Sequence, residues 1–354
     1  MGFLRTIFAI TVVFAHSPWH DGFVFVGGRN AVQLFYIISG FLISYVINTN
    51  ATYRNPWKFY LNRALRIYPI YYVVALLALL AVPICNHKMI DIYRNLPTSA
   101  DVFLIFSNLF LFGQDWVMFS GVNNGHLVFT SDFLQSDFLL FTGLLVRQAW
   151  TLGVELTFYA LAPFILRNNR IVILLIILSL SIRGFLFSIG LGMSDPWTYR
   201  FFPAELSFFL FGALASQYLL PMWKRFISAT GFEWLPRAGT YLLICFCLFY
   251  FLIPAKEIVK VPLLFSVFLV FLPLTFLYQN TSKNDKAIGE LSYPIYIGHL
   301  FAIMILGKII GHHYLTTPFM VAAGNVFVAI IFAYYLNKYV SSRVEYLRVR
   351  VKSG

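Results

Sequence analysis

Arg5 and His16 are the first residues whose types and spacing could do chemistry, and the ten residues between them carry no charge. The stretch FLRTIFAITVVFAHSP, from Phe3 to Pro18, predicts an apolar helix. A helix turns about 100° and rises about 1.5 Å per residue, so eleven steps make roughly three turns. Arg5 and His16 then share one face, about 16 Å apart along the axis. A permanent cation at one end suits an anion, and a titratable base near the other suits proton transfer.

Each residue also has a plainer use. Arg5 could be a cytoplasmic membrane anchor, and His16 an interfacial histidine beside Pro18 and Trp19. The stretch has the outline of a signal peptide, with Ala15 and Ser17 as small residues for cleavage. Met1-Gly2 with Thr6 fits a myristoylation pattern. A chain with many further apolar runs needs neither.

Charged groups inside a bilayer are costly and face the interior of a helix bundle. Glu155 sits in Trp150-Thr-Leu-Gly-Val-Glu155-Leu-Thr-Phe-Tyr159, where Tyr159, four residues on, can orient the carboxylate. A structural carboxylate bonded to another helix is the alternative. Arg63 and Arg66 lie three apart before an apolar run. Two guanidinium forks on one helical face suit phosphate groups, and lipid-headgroup anchoring is the competing reading. Arg183 and Glu205, on successive apolar runs, are expected to pair with each other. Lys308, near a helix end, can snorkel to the interface.

The elements that must position these residues follow from composition. Of 354 residues, 60% are hydrophobic, 19% aromatic and only 11% charged, against about 25% charged in a soluble domain. The chain is therefore expected to be all-α and polytopic, one membrane-embedded domain over 1–354. A net charge of +12 scattered through short loops argues for orientation in a lipid bilayer rather than for nucleic acid. Cys85, Cys245 and Cys247 lack metal-ligand spacing, so no disulfide framework and no metal site is expected, and Cys245 and Cys247 should face different sides of one helix.

A span needs roughly 20 mostly apolar residues. Ten are expected, near 3–18, 31–48, 67–85, 148–166, 171–190, 202–220, 239–254, 261–278, 291–310 and 318–340. Those at 239–254 and 261–278 read as lipid-facing packing. Fifteen Lys and Arg fall in the loops on one side and seven on the other, which predicts that both termini are cytoplasmic. The segment 86–147 holds two shorter apolar runs, 102–112 and 138–146, expected as interfacial or re-entrant helices on the outer side. No internal repeat is visible.

Five separated stretches, in order, resemble the acyltransferase 3 family of integral membrane proteins. They are Arg5 with His16, Val32-Gln-Leu-Phe-Tyr-Ile-Ile-Ser39-Gly40-Phe41-Leu-Ile, Arg63-Ala-Leu-Arg66 with Tyr68-Pro69, the Trp150–Tyr159 motif, and Leu291-Ser-Tyr-Pro-Ile-Tyr-Ile-Gly-His299. The resemblance implies transfer of an acyl group, usually acetyl, from cytoplasmic acetyl-CoA or another acyl-CoA to a hydroxyl of a glycan acceptor. That would be a polysaccharide or lipid-linked sugar, handled in a bacterial inner (plasma) membrane. It implies that His16 is the essential residue, with Arg5, Arg63 and Arg66 the donor-binding cations. His16 would act as general base or carry the acyl group transiently, with Glu155 beside it. Ser39, Tyr159 and His299 are then expected near the substrates, and Ser39-Gly40 to permit a close helix or ligand approach. The chain departs from the family pattern in its short stretch before Arg5 and in Thr151, where a serine is usual. No fused extracellular hydrolase-like domain is expected, so a second transfer step would need another protein. The competing class is a proton-coupled secondary transporter using His16 and Glu155, which predicts an internal symmetry that the sequence lacks.

Overall fold

The structure, a computed structural model, describes residues 1–18, 25–85, 87–310 and 317–353, without the side chains of 85, 87–89, 310, 352 and 353. Trp19, the Cys85 thiol and two cations of the charge count, Lys88 and Lys352, lie outside that description.

The chain folds as α1 (Gly2–Ala15), α2 (Gly28–Thr49), α3 (Pro56–Cys85), α4 (His87–Asn95), α5 (Thr98–Phe110), a hairpin of β1 (Ser120–Asn123) and β2 (His126–Phe129), α6 (Trp150–Ile165), α7 (Asn169–Ser188), α8 (Phe202–Leu214), α9 (Leu220–Thr230), α10 (Leu235–Phe249), α11 (Glu257–Thr281), α12 (Lys283–Ile310), α13 (Pro318–Leu336) and α14 (Ser342–Ser353). Each expected span contains a helix. Among the described residues, eight helical segments are long and apolar enough to cross a membrane. α1, with 14 residues, and α6, with 16, are shorter. These two carry Arg5 and Glu155, and His16 closes α1.

The segment 86–147 departs from expectation. α5 occupies most of the run 102–112, but 138–146 forms no α-helix. Phe138 bridges to Val122, and Leu140–Gly143 makes a single 3-10 turn. Local bonds explain this. Asn123 Oδ1 accepts from the Asp137 amide at 2.9 Å and Asp137 Oδ2 from the Asn124 amide at 2.8 Å, so the backbone entering the run is already committed. The hairpin itself turns at Asn124 and Gly125, with φ of 50° and 76°. Asn-Gly is the residue pair such a two-residue turn favours.

Two close crossings set the frame. α1 and α12 run side by side and parallel: a Cβ on Gly289 would fall 2.6 Å from the Gly2 Cα, and His16 meets His299 further along. Asp285 fixes this register by accepting from the amides of Gly2 at 2.8 Å and Phe3 at 2.9 Å, where a carboxylate offsets the helix dipole. α2 and α8 are antiparallel and nearly touch backbones. A Cβ on Gly40 would lie 1.8 Å from the Phe209 carbonyl oxygen, and one on Gly212 2.0 Å from that of Ile37. The close approach expected at Ser39-Gly40 is therefore a helix crossing.

The Arg183–Glu205 pair forms as expected, and Gln33 donates to the same buried carboxylate at 3.1 Å, tying α2, α7 and α8. Losing one partner of such a pair costs about 3–5 kcal/mol, because it strands the other charge. Cys245 is exposed and Cys247 buried, on different sides of α10.

Candidate active site

A pocket of about 100 Å³ lies between α1, α2, α3, α6 and α12. Arg5, Arg63, Arg66, Ser39, Glu155 and Tyr159 all line it. Six of the eight residues singled out in the sequence therefore meet in one place, on four helices.

Glu155 is held within this pocket. Ser39 Oγ donates to its Oε1 at 2.6 Å, and the Tyr159 hydroxyl donates to the same oxygen, as the four-residue spacing predicts. Arg5 lies within electrostatic reach of Arg66, Glu155 and Tyr159. Arg63 is 7% exposed. Its Nη2 donates to Asn62 Oδ1 at 2.9 Å, and its guanidinium sits 5.8 Å from the Phe59 ring centre and 6.0 Å from that of Tyr159. Aromatic faces hold a guanidinium in place without neutralising it. The Arg63 Nε, buried, has no partner. Three guanidinium groups around a single carboxylate leave surplus positive charge in a confined space, which suits a polyanion.

His16 stands apart from this cluster. It follows the last residue of α1, is exposed, and bonds through Nδ1 to the Val12 carbonyl at 2.8 Å. A carbonyl only accepts, so Nδ1 carries the proton and Nε2 keeps its lone pair. His299 repeats the arrangement: it is fully buried, its Nδ1 donates to the Tyr296 carbonyl at 2.7 Å, and its Nε2 has no partner. The two rings lie 4.9 Å apart. Among the described residues, no hydrogen bond or ion pair links Glu155 to His16. Tyr296 and Thr151, bonded at 2.9 Å through their hydroxyls, line the inner end of the arginine pocket, one turn of α12 from His299.

A second cleft, of about 510 Å³, opens between the 115–131 segment, α6 and the start of α8. Trp116, Phe119, Phe129, Trp197 and Phe201 form its walls, with Asp115 and Arg200 as its charged groups. Arg200 connects it to the histidines: it pairs with Asp195 at 2.5 Å, stacks 4.2 Å above Trp150 and lies within electrostatic reach of His16.

The family model described as Acyltransferase domain matches residues 1–338. The chain belongs to the acyltransferase 3 family. It is also similar to a protein of Acidianus two-tailed virus that carries the name "Putative acetyltransferase ORF330", 25% identical over 306 residues, which cover 81% of this chain and 76% of that one. No solved structure matches the chain.

For a member of the acyltransferase 3 family, sequence reading missed Arg200, Asp115 and Tyr296. Arg200 had been one more loop cation. Asp115 lies in a polar turn and its burial, 2% exposed, comes from the close approach of Gly153, whose missing side chain leaves room for the carboxylate. That burial pushes the Asp115 carboxyl up to about 7. Tyr296 lies within the Leu291–His299 stretch, but nothing local marks its bond to Thr151.

Proposed function

We propose that this integral membrane acyltransferase moves an acetyl or other short acyl group from acyl-CoA to a glycan hydroxyl. The arginine end faces the cytoplasm, both termini are cytoplasmic, and the host bilayer is the inner (plasma) membrane. The observation that carries the reading is the division of α1. Its start lies in a pocket of three arginines, and its end presents His16 beside His299, with Tyr296 and Thr151 between.

Arg5, Arg63 and Arg66 hold the donor's phosphates by charge-assisted hydrogen bonds. The pocket behind them is walled by apolar side chains such as Phe35, Ile38 and Leu42, which suit a thin extended arm. Glu155, fixed by Ser39 and Tyr159, balances the arginines and keeps their guanidinium groups apart. The thioester arrives at the histidine pair from one side. The acceptor enters by the aromatic cleft, where Trp116, Trp197 and Phe119 offer flat apolar faces to a sugar ring and Arg200 leads toward His16.

His16 Nε2 takes the proton from the acceptor hydroxyl as its oxygen attacks the thioester carbonyl carbon. The carbon–sulfur bond breaks, and the resulting imidazolium returns the proton to the departing thiolate. The Nδ1–H bond to Val12 keeps the ring in the tautomer this needs.

The test is incubation of the protein, purified into nanodiscs, with radiolabelled acetyl-CoA and a panel of glycans. Labelled O-acetyl glycan, removable by mild base, is the expected product. No transfer to any acceptor, together with proton-coupled uptake of a solute in sealed vesicles, would overturn the reading in favour of a transporter.

A further inference from the structure

The C-terminal helix α14 lies beyond the residues that the family model matches, yet it packs against α3 at the mouth of the arginine pocket. Asn62 Nδ2 donates to the Arg348 carbonyl at 3.3 Å, while Asn62 Oδ1 accepts from Arg63. One asparagine thus couples the two elements. The Arg348 side chain, 15% exposed, lies within electrostatic reach of Arg63 and Arg66 and pairs with Glu345.

Three buried polar groups without partners converge here. They are the Arg348 Nε, the Arg63 Nε and the Tyr53 hydroxyl. Tyr53 is 1% exposed and lies within electrostatic reach of both arginines. An unsatisfied buried donor costs about 1–3 kcal/mol, and like charges gathered in low dielectric add to that cost. Two guanidinium groups and a tyrosine hydroxyl within electrostatic reach of one another suit a multiply charged oxyanion.

Position selects which oxyanion. The Arg348 carbonyl is level with Asn62, and Tyr53, within electrostatic reach of the Arg348 side chain, precedes α3, whereas Arg66 lines the pocket. Arg348, which does not line the pocket, is therefore the cation of the cluster that stands outside it. A donor whose thin arm fills the pocket carries its diphosphate near Arg63 and Arg66, and its ribose 3′-phosphate farther out. We propose that Arg348, with Tyr53, binds the 3′-phosphate of the CoA donor, and that Glu345 holds the guanidinium until the phosphate replaces it. This rests on the acyl-CoA reading above and assigns α14 a part in donor selection.

Binding of CoA and of dephospho-CoA, which differs only in bearing a 3′-hydroxyl, separates the two ideas. Calorimetry on nanodisc protein should find CoA bound roughly tenfold tighter than dephospho-CoA, the worth of one charge-assisted contact. Arg348→Gln should bind the two equally, leaving dephospho-CoA affinity unchanged, and Arg348→Lys should keep part of the preference. Glu345→Gln, which frees the guanidinium, should tighten CoA about two- to fivefold without affecting dephospho-CoA. It decides the matter alone if Arg348→Gln fails to fold. An undiminished CoA preference in Arg348→Gln, or unchanged CoA affinity in Glu345→Gln, overturns the Arg348 assignment and leaves the donor reading standing. Wild-type protein that binds neither compound overturns both.

Discussion

His16 and His299, 283 positions apart in the chain, bring their ring centres within 4.9 Å, the planes tilted by 53°. Each donates Nδ1–H to a carbonyl of its own helix, so in the neutral ring the lone pair is on Nε2. The pairing follows from the parallel packing of α1 on α12, which the Asp285 bonds to Gly2 and Phe3 hold in register.

His16→Ala should lower acyl transfer by roughly 10²- to 10⁴-fold, the usual worth of a general base, with CoA affinity close to wild type. His299→Gln, which removes the partner ring, should lower transfer by less. One alanine inserted after Ala9 should also abolish transfer, since it turns His16 about 100° away from His299 relative to Arg5. Each variant is first shown to be folded and monodisperse. Substantial transfer by His16→Ala would remove histidine from the mechanism, and wild-type transfer by the insertion would show that the helix does not act as a ruler.

Gly40→Ala should destabilise the fold by about 1–3 kcal/mol or more. Its added methyl would enter the space of the Phe209 carbonyl, which is backbone and cannot rotate away. Gly184, with open space around its Cβ position, is the control: Gly184→Ala should be neutral or slightly stabilising. Thermal unfolding in nanodiscs measures both. Equal melting temperatures would mean that α2 and α8 do not cross there.

Asp115 makes stability depend on pH. Its carboxyl titrates near 7 when folded, against an ordinary value of 3.8. The folded state therefore holds a proton, between about pH 4 and 7, that the unfolded chain has lost. Stability from this site is full below the ordinary value and declines as pH rises to about 7, by about 4 kcal/mol in all. Asp115→Asn lacks this decline. The difference in melting temperature between the two proteins should change between pH 4 and 7 on that schedule. A constant difference between them would show an ionised, hydrated Asp115 in the folded protein.

Cysteines placed at Asn55 and Asn124 test orientation, because the loop charges predict that 49–66 is cytoplasmic and the hairpin outside. In intact cells an impermeant maleimide should label Asn124→Cys and spare Asn55→Cys until the cells are opened. The reverse pattern would place the arginine pocket outside, away from cytoplasmic acyl-CoA.

The helices and their order were legible because apolar length, charge bias in loops and helical spacing are local properties of a chain in a bilayer. Tyr159 on Glu155 follows from four-residue spacing, and Arg183 with Glu205 from the cost of unpaired charge. The Asn124-Gly125 turn was also present in the sequence, hidden within a segment whose apolar runs suggested helices. Which groups meet across the bundle was decided by tertiary packing alone. Glu155 joins Ser39 and the arginines, while His16 joins His299 and Arg348 comes within electrostatic reach of Arg63 and Arg66 from beyond the matched region. Helical spacing says which way a side chain points on its own helix. Who stands opposite depends on axial register between helices, and that is set by contacts such as Gly2 on Gly289 and Gly40 on Phe209, whose partners lie more than a hundred residues away.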